Sequence, residues 1–528
     1  MPSAAHAAAI LAAITFAVFA PTLSAEFVYD ARLQILTDPF PHDPRNWPAV
    51  LSFAVLGMDV LDFNRPVQLA SIMLDAAIWG RDPFGYHLTS ILLHCTNVVL
   101  LWLVLCDVLP RRGVTNVVPD SDGRVTATVL ATWFGALVFA VHPLVTEAVC
   151  EPTFREDLLV GAFTLGAVVL ASPGGGLPRA LACAACCLLA CASKESGIAA
   201  PLVLAAYWWL FRRGEERRFW AVALGGGAAL SLAFMAARFL LEPESSRIFE
   251  FKPAYPGGSL TAAMALQPRI LALYAQLVAC PVNLCADYGG PSLRYLPLGL
   301  AVPIVAAIAA ALVWGGRRDR RVAFGAALMV LPLLPVSNLV PIYRAAADRY
   351  LYVPLAGVAV VVACLVEAAW SRAPRERRHV GIVAGLVLLV VLAAGCIARQ
   401  RVWSNSLALW RDTLLRNSAS FSAASGLSAA FREAGQCVDA ERVARHAIAL
   451  SEGNRGDAWL TLALALEGQG RAAEADAAVA TALEKDPRLA DPDGRVAALA
   501  LERAEADELE ALLARQPGSG TAEMPAGP

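Results

Sequence analysis

Apolar runs of about 18 residues or more recur along most of this 528-residue chain. A helix rises about 1.5 Å per residue, so a run of that length nearly crosses the roughly 30 Å hydrocarbon core of a bilayer. Composition agrees with the pattern. The chain is 57% hydrophobic and 17% charged, with mean hydropathy +0.55, where a soluble protein carries roughly a quarter charged residues. These features predict an all-α, polytopic membrane protein. The net charge of −2 comes without a basic block, so nucleic acid is not an expected partner. The first run lacks a basic leader region and a convincing cleavage site, and reads as a retained first span.

Candidate spans lie at about 5–24, 86–109, 125–142, 157–172, 178–193, 198–212, 219–240, 296–314, 322–340, 350–370 and 380–398, about 11 in all. Two further apolar stretches, about 66–80 and 268–285, are ambiguous. Basic loops set the orientation, because Lys and Arg in short loops stay cytoplasmic. "FRRGEERRF" (211–219), "GGRRDRR" (315–321) and "SRAPRERRH" (371–379) are all strongly basic. Placing all three inside requires an even number of crossings between each pair. The stretch at 268–285, broken by "CPVNLC", is then predicted not to cross. The one at 66–80, short and carrying Gln68 and Asp75, is predicted to lie at the interface. The N-terminus is inside, the C-terminus outside, and the first outer loop covers about 25–85.

Twelve cysteines lie mostly inside apolar runs, the densest group being "CAACCLLAC" with Cys183, Cys186, Cys187 and Cys191. No histidine or carboxylate accompanies them at ligand spacing, so they read as small packing residues rather than a metal site.

After Arg399 the character changes. Residues 400–515 are alanine-rich, charged and helical in period, and 516–528 read as a disordered tail. "GDAWLTLALALEGQGRAAEADAAVATALEKDPRL" (456–489) carries Trp459, Leu462, Ala463, Leu466, Ala475, Val479, Ala482 and Pro487 at the positions of the tetratricopeptide pattern. A weaker copy starts near Phe421. Such repeats stack into an α-solenoid, whose face over 421–489 is the candidate acceptor-binding surface.

Polar residues at membrane mouths are functional hypotheses by default. Here they gather on the outward side: Asp30 and Arg32; Arg65; Asp82, Tyr86, His87 and His94; His142, Glu147, Glu151, Arg155, Glu156 and Asp157; Lys194 and Glu195; Tyr343, Arg344, Asp348, Arg349, Tyr350 and Tyr352. Several have plain structural readings. His94 suits a hydrogen-bonded packing role. Lys194 and Glu195 can pair with each other in a tight turn. Glu156 and Asp157 suit a helix start. The shared side is less easily explained that way. Arginines clamp phosphate and a carboxylate accepts a proton from an attacking hydroxyl, which a site for an anionic, lipid-attached substrate needs.

The order of motifs is more specific than any one of them. "FVYD" (27–30), "RP" (65–66), "DPFGYH" (82–87), "HPLVTEAVCEPTFRED" (142–157), "SKES" (193–196), "DRYLYVP" (348–354) and "RVWSNSLALW" (401–410), followed by repeats, together resemble the transmembrane and tetratricopeptide-containing (TMTC-type) O-mannosyltransferases of the GT-C superfamily. The resemblance implies a GT-C transmembrane domain over 1–399. It also implies transfer of a sugar, mannose or another hexose, from a polyprenyl- or dolichyl-phosphate donor to a hydroxyl acceptor, with inversion, on the extracytoplasmic side. The acceptor would be a protein Ser or Thr, or a glycan. The general base carries over to Asp30. The family's second acidic residue is replaced by Ala31, which leaves a divalent metal open and shifts a second catalytic role to Glu147. Arg65, His87, Arg155, Lys194, Arg344, Arg349 and Tyr350 are the expected donor-binding residues. The Ala- and Arg-rich composition suits a bacterial inner membrane, with the repeats in the periplasm. The alternative is a non-catalytic membrane scaffold whose repeats recruit periplasmic partners. A transporter is disfavoured, since no paired inverted repeats are visible.

Overall fold

The computed structural model describes residues 4–62, 64–110, 127–172, 175–242, 255–289, 296–490, 510–513 and 515, and among them every regular element is helical. The chain divides into two compact units. The first comprises Met1–Ala25, Phe40–Leu284 and Arg294–Trp403, and the second Glu26–Pro39, Cys285–Leu293 and Ser404–Pro528. The span pattern assigns segments 26–39 and 285–293 to outer loops of the membrane part. In the structure 26–39 and 285–289 pack with the C-terminal helices.

The first unit is built from α1 (Ala4–Phe19), α2 (Pro66–Trp79), α3 (Pro83–Val108), α4 (Ala127–Val141), α5 (Arg155–Leu170), α6 (Leu177–Ser193), α7 (Ala200–Tyr207), α8 (Gly227–Leu241), α9 (Leu260–Ala279), α10 (Leu298–Arg318), α11 (Arg320–Val330), α12 (Tyr352–Arg372) and α13 (Arg378–Val402). Seven stretches are long and apolar enough to cross a bilayer: Ala4–Ser24, Pro83–Val108, Arg217–Leu241, Leu260–Ala279, Leu298–Arg318, Asp348–Arg372 and Arg375–Val402. The pair Ala127–Val141 and Pro143–Cys150, bent by 47°, brings the number to as many as eight. The chain is an integral membrane protein. The other predicted spans are shorter helices, of 16 residues in α5, 17 in α6, 8 in α7 and 11 in α11. Proline accounts for some of the breaks, because it supplies no backbone N–H. Pro143 opens a new turn after α4, where His142 Nδ1 accepts from the Leu144 amide at 3.3 Å instead. Pro332 does the same after α11.

Two ionic layers lie at opposite ends of α3, α4 and α12. In one, Glu367 near the end of α12 accepts from Thr128 at the start of α4 (2.6 Å) and pairs with Arg321 (2.6 Å), which also donates to the Leu109 carbonyl after α3 (2.8 Å). Asp107, near the end of α3, pairs with Arg212 (2.5 Å) and accepts from Tyr207 (2.5 Å). The other layer gathers the residues before α3 and α12 and after α4, and holds the candidate site. Arg238, near the end of α8, pairs with Glu195 in that layer at 3.0 Å. The last turns of α9 reach the same layer: the Tyr274 hydroxyl accepts from the Ala347 amide (3.3 Å), and the Val278 carbonyl accepts from His142 (3.1 Å). Arg238 and the last turns of α9 therefore meet the same layer, although α9 is itself long and apolar enough to span.

Glycines let α11 and α12 approach closely. A Cβ on Gly357 would lie 2.5 Å from the Gly325 carbonyl oxygen and 2.5 Å from the Met329 amide nitrogen. Both atoms are backbone and cannot swing aside. Gly357→Ala is expected to destabilise the bundle by about 1–3 kcal/mol through overpacking. Thermal unfolding in detergent would show this, and an unchanged midpoint would mean the helices can separate at no cost.

The second unit stacks α14 (Ser406–Arg416), α15 (Phe421–Glu433), α16 (Cys437–Leu450), α17 (Gly456–Glu467) and α18 (Ala472–Lys485). Each packs on its neighbours in sequence, and α15 also packs on α17. Asn405 and Ser420 cap α14 and α15 through their side chains. Gly435 and Gly470, both with positive φ, occupy equivalent turns in the α15–α16 and α17–α18 hairpins. Alanine lines the contacts: Ala444, Ala463, Ala475, Ala478 and Ala482 are buried in one cluster with Leu460, Leu462 and Leu466.

Candidate active site

In the first unit, residues far apart in sequence meet in one buried ionic cluster. Arg65, just before α2, pairs with Glu156 (2.5 Å), Asp62 (3.3 Å) and Glu195 (3.3 Å). Lys194, just after α6, pairs with Glu156 (2.9 Å) and Asp157 (2.6 Å) and lies 5.3 Å from the Tyr350 ring centre. Arg349 donates from its guanidinium to Glu147 Oε1 (2.5 Å) and from its backbone to Oε2 (2.9 Å), so both oxygens of that carboxylate are taken up. Its guanidinium also stacks 3.9 Å from the Phe154 ring centre. These pairs, with Arg238, join five carboxylates to four cations.

Lys194 and Glu195 do not pair with each other. Lys194 has extended backbone (φ −162°, ψ 153°), and successive side chains of an extended chain point to opposite faces. Lys194 turns to Asp157 and Glu156, and Glu195 turns to Arg65 and Arg238. Burial opposes charge on both. Asp157 and Glu156 outweigh that at Lys194 and raise its pKa. At Glu195, Arg65 and Arg238 outweigh it and hold the carboxyl down at about 2, against an ordinary 4.5. A carboxyl depressed on folding stabilises the fold above its ordinary pKa, and loses that contribution as pH falls toward the folded value. The unfolding midpoint is therefore expected to drop as pH falls below about 4.5, with a shallower slope in Glu195→Gln. Identical slopes would show that Glu195 contributes nothing there.

The other expected donor-binding residues are placed differently. Arg155 is fully enclosed: it pairs with Asp75 (2.5 Å) and donates to Ser71 Oγ (3.0 Å) and the Tyr86 carbonyl (2.9 Å). It ties α5 to α2 and α3 and is closed to solvent. His87 is buried on α3 next to Tyr86. Arg344 is half-buried, and its carbonyl accepts from the Tyr350 hydroxyl at 3.3 Å. Arg238 and Asp62 join the cluster without having been expected as site residues. The signal for Arg238 was a lone arginine near the end of an apolar run.

Beneath the cluster a polar network crosses the bundle. His94 Nε2 faces the Ala140 carbonyl (3.1 Å), so it carries the proton, and Nδ1 accepts from the Tyr352 hydroxyl (2.8 Å). Asn97 donates to the same hydroxyl oxygen (3.0 Å) and to the Leu158 carbonyl (2.8 Å). His94 thus packs as a hydrogen-bonded residue, next to the segments that carry Asp157 and Arg349. The clustered cysteines also pack: Cys183, Cys187 and Cys191 are buried, and all twelve cysteines are free thiols.

Asp30 lies in the second unit, half-buried at the start of a short helical segment. Ala31, where the resemblance leads one to expect an acidic side chain, is fully buried. Among the described residues no three His, Cys, Asp or Glu side chains form a metal-holding group. The described residues therefore do not fit a divalent metal.

The chain is 35% identical over 151 residues to protein O-mannosyl-transferase Tmtc1 of Drosophila melanogaster, covering 28% of this chain and 16% of that protein. It is 32% identical over 164 residues to protein O-mannosyl-transferase TMTC1 of Mus musculus, covering 29% and 15%. The chain is similar to the TMTC O-mannosyltransferases. The matched stretch spans about a sixth of those relatives' own length. No protein-family model matches the chain. Among solved structures, ArnT from Cupriavidus metallidurans bound to undecaprenyl phosphate aligns over 91% of this chain and 80% of that one, at 15% identity and a TM-score of 0.43.

Proposed function

We propose that this protein is a membrane glycosyltransferase of the GT-C kind, moving mannose or another hexose from a polyprenyl-phosphate donor to a hydroxyl acceptor with inversion. The acceptor proposed is a protein Ser or Thr. The observation that carries the reading is the buried ionic cluster, which collects the motif residues Arg65, Glu147, Glu156, Asp157, Lys194 and Arg349 from five separate segments. The similarity to O-mannosyltransferases supports it.

In this reading Asp30 takes the proton from the acceptor hydroxyl as the oxygen attacks the anomeric carbon. The bond from that carbon to the phosphate oxygen breaks, and the electron pair leaves with the lipid phosphate. Glu147, with both oxygens on Arg349, holds that guanidinium in place. In the pairs described, five carboxylates face four cations, so a phosphate would bind there by exchanging with a carboxylate. Arg65 suits the exchange. It faces three carboxylates and is the most exposed cation of the cluster, with 24% of its side chain open. Arg65→Lys keeps the charge but loses the planar fork. Its donor KM is expected to rise about tenfold, the worth of one charge-assisted hydrogen bond, while kcat falls far less. An unchanged KM would remove Arg65 from the donor site.

The proposed topology has eleven crossings, with 66–80 along the interface and 268–285 not crossing. The cluster, Asp30 and the tetratricopeptide-like helices all face the outside of a bacterial inner membrane. The basic loops at 211–219, 315–321 and 371–379 support that orientation. Mass spectrometry of periplasmic glycoproteins with and without the protein tests the function. Loss of hexose from Ser or Thr of defined proteins is the expected result, and an unchanged glycoproteome would refute it.

A further inference from the structure

The segment that carries Asp30 is fastened to the helical unit at three points, all close to that carboxylate. Four residues before it, the Glu26 amide donates to the Ser404 carbonyl at 2.9 Å. Two residues after it, Arg32 pairs with Glu433 at the end of α15 (2.7 Å) and reaches Ser406 Oγ (3.4 Å). Immediately before it, the Tyr29 ring stacks on Trp410 of α14, with centroids 5.1 Å apart and planes 27° from parallel. Val28, Ala31 and Ile35 are fully buried, which fixes the direction of the segment.

Tyr29 also has φ 54°. The left-handed region is unfavourable for a bulky residue and persists only where surrounding contacts enforce it. The stack on Trp410 is such a contact. Trp410 in turn has a built seat. A Cβ on Gly426 of α15 would fall 2.5 Å from its ring, so only glycine lets the indole lie there. Gly426 seats Trp410, Trp410 holds the strained Tyr29, and Tyr29 sets where the next residue points.

We propose that the C-terminal helical unit carries and aims the general base, with Trp410 and Glu433 as positioning residues for Asp30. This rests on the reading of Asp30 as the base. The unit then does more than bind an acceptor: proton removal depends on it even for an acceptor too short to occupy a groove. A displacement of about 1 Å in a catalytic group can cost up to about 100-fold in rate.

The test uses the full-length protein in proteoliposomes, a polyprenyl-phosphate hexose and a short hydroxyl peptide. Arg32→Glu and Glu433→Arg are each expected to lower kcat about tenfold at unchanged donor KM. The double reversal remakes the pair with opposite polarity and should recover most of that loss. Trp410→Ala should lower kcat likewise, with Trp410→Phe, which keeps a stacking ring, recovering much of it. Thermal unfolding midpoints of the single variants equal to that of the wild type separate lost aim from lost fold. Single reversals at the wild-type kcat, or a double reversal no better than the singles, would overturn the proposal. Asp30→Asn is measured alongside. If it transfers sugar normally, the base has been misassigned and the proposal falls with it. If it is inactive while the reversals are normal, the base stands and only the positioning role is lost.

Discussion

Asp30→Asn is expected to lower the rate of sugar transfer by about 100-fold or more, the usual cost of losing a general base. The substitution keeps shape and volume and removes the proton acceptor. The drop should appear in kcat, with donor KM nearly unchanged, because Asp30 is assigned no contact with the phosphate. Ala31 beside it is buried and offers no replacement carboxylate. Near-normal transfer by a correctly inserted Asp30→Asn protein would show that another group takes the proton.

The second large effect is expected at Lys194. Its ammonium lies 2.9 Å from Glu156 and 2.6 Å from Asp157, and all three side chains are almost fully buried. Lys194→Met would leave two adjacent buried carboxylates, with only Arg65 remaining on Glu156. Breaking a buried pair by removing one partner typically costs about 3–5 kcal/mol, because a charge stays in the interior uncompensated. Adding Asp157→Asn to Lys194→Met removes one of those charges and should recover part of the loss. The comparison is made by thermal unfolding in detergent. If the single variant is as stable as wild type, the cluster is more hydrated than its burial implies.

Much of the helical, membrane-embedded character was legible in the sequence, because apolar runs of bilayer length have few other uses. The count of crossings between basic loops also puts Arg65, Glu147, Glu156, Asp157, Lys194 and Arg349 on one side of the membrane. Their pairing was not legible. Lys194 and Glu195 are neighbours in sequence, and only the extended backbone at Lys194 shows that they face apart. Arg238 lay hidden in an apolar helix. The apolar stretch at 268–285 gives no sign of the earlier turns of α9. The helix in fact begins at the Ser259 cap and carries Pro268 inside it. Hardest to see was the association of residues 26–39 with the tail. Arg32 and Glu433 are 401 residues apart, and no local pattern signals a contact across that distance.

Sugar transfer by the purified protein tests the central claim most directly. Reconstituted into liposomes with a labelled polyprenyl-phosphate mannose, the wild type should move label to a Ser- or Thr-containing peptide, and Asp30→Asn should not. A wild-type protein that inserts and folds, yet moves no hexose from any polyprenyl phosphate to peptide or glycan, would contradict the assignment and favour a membrane scaffold.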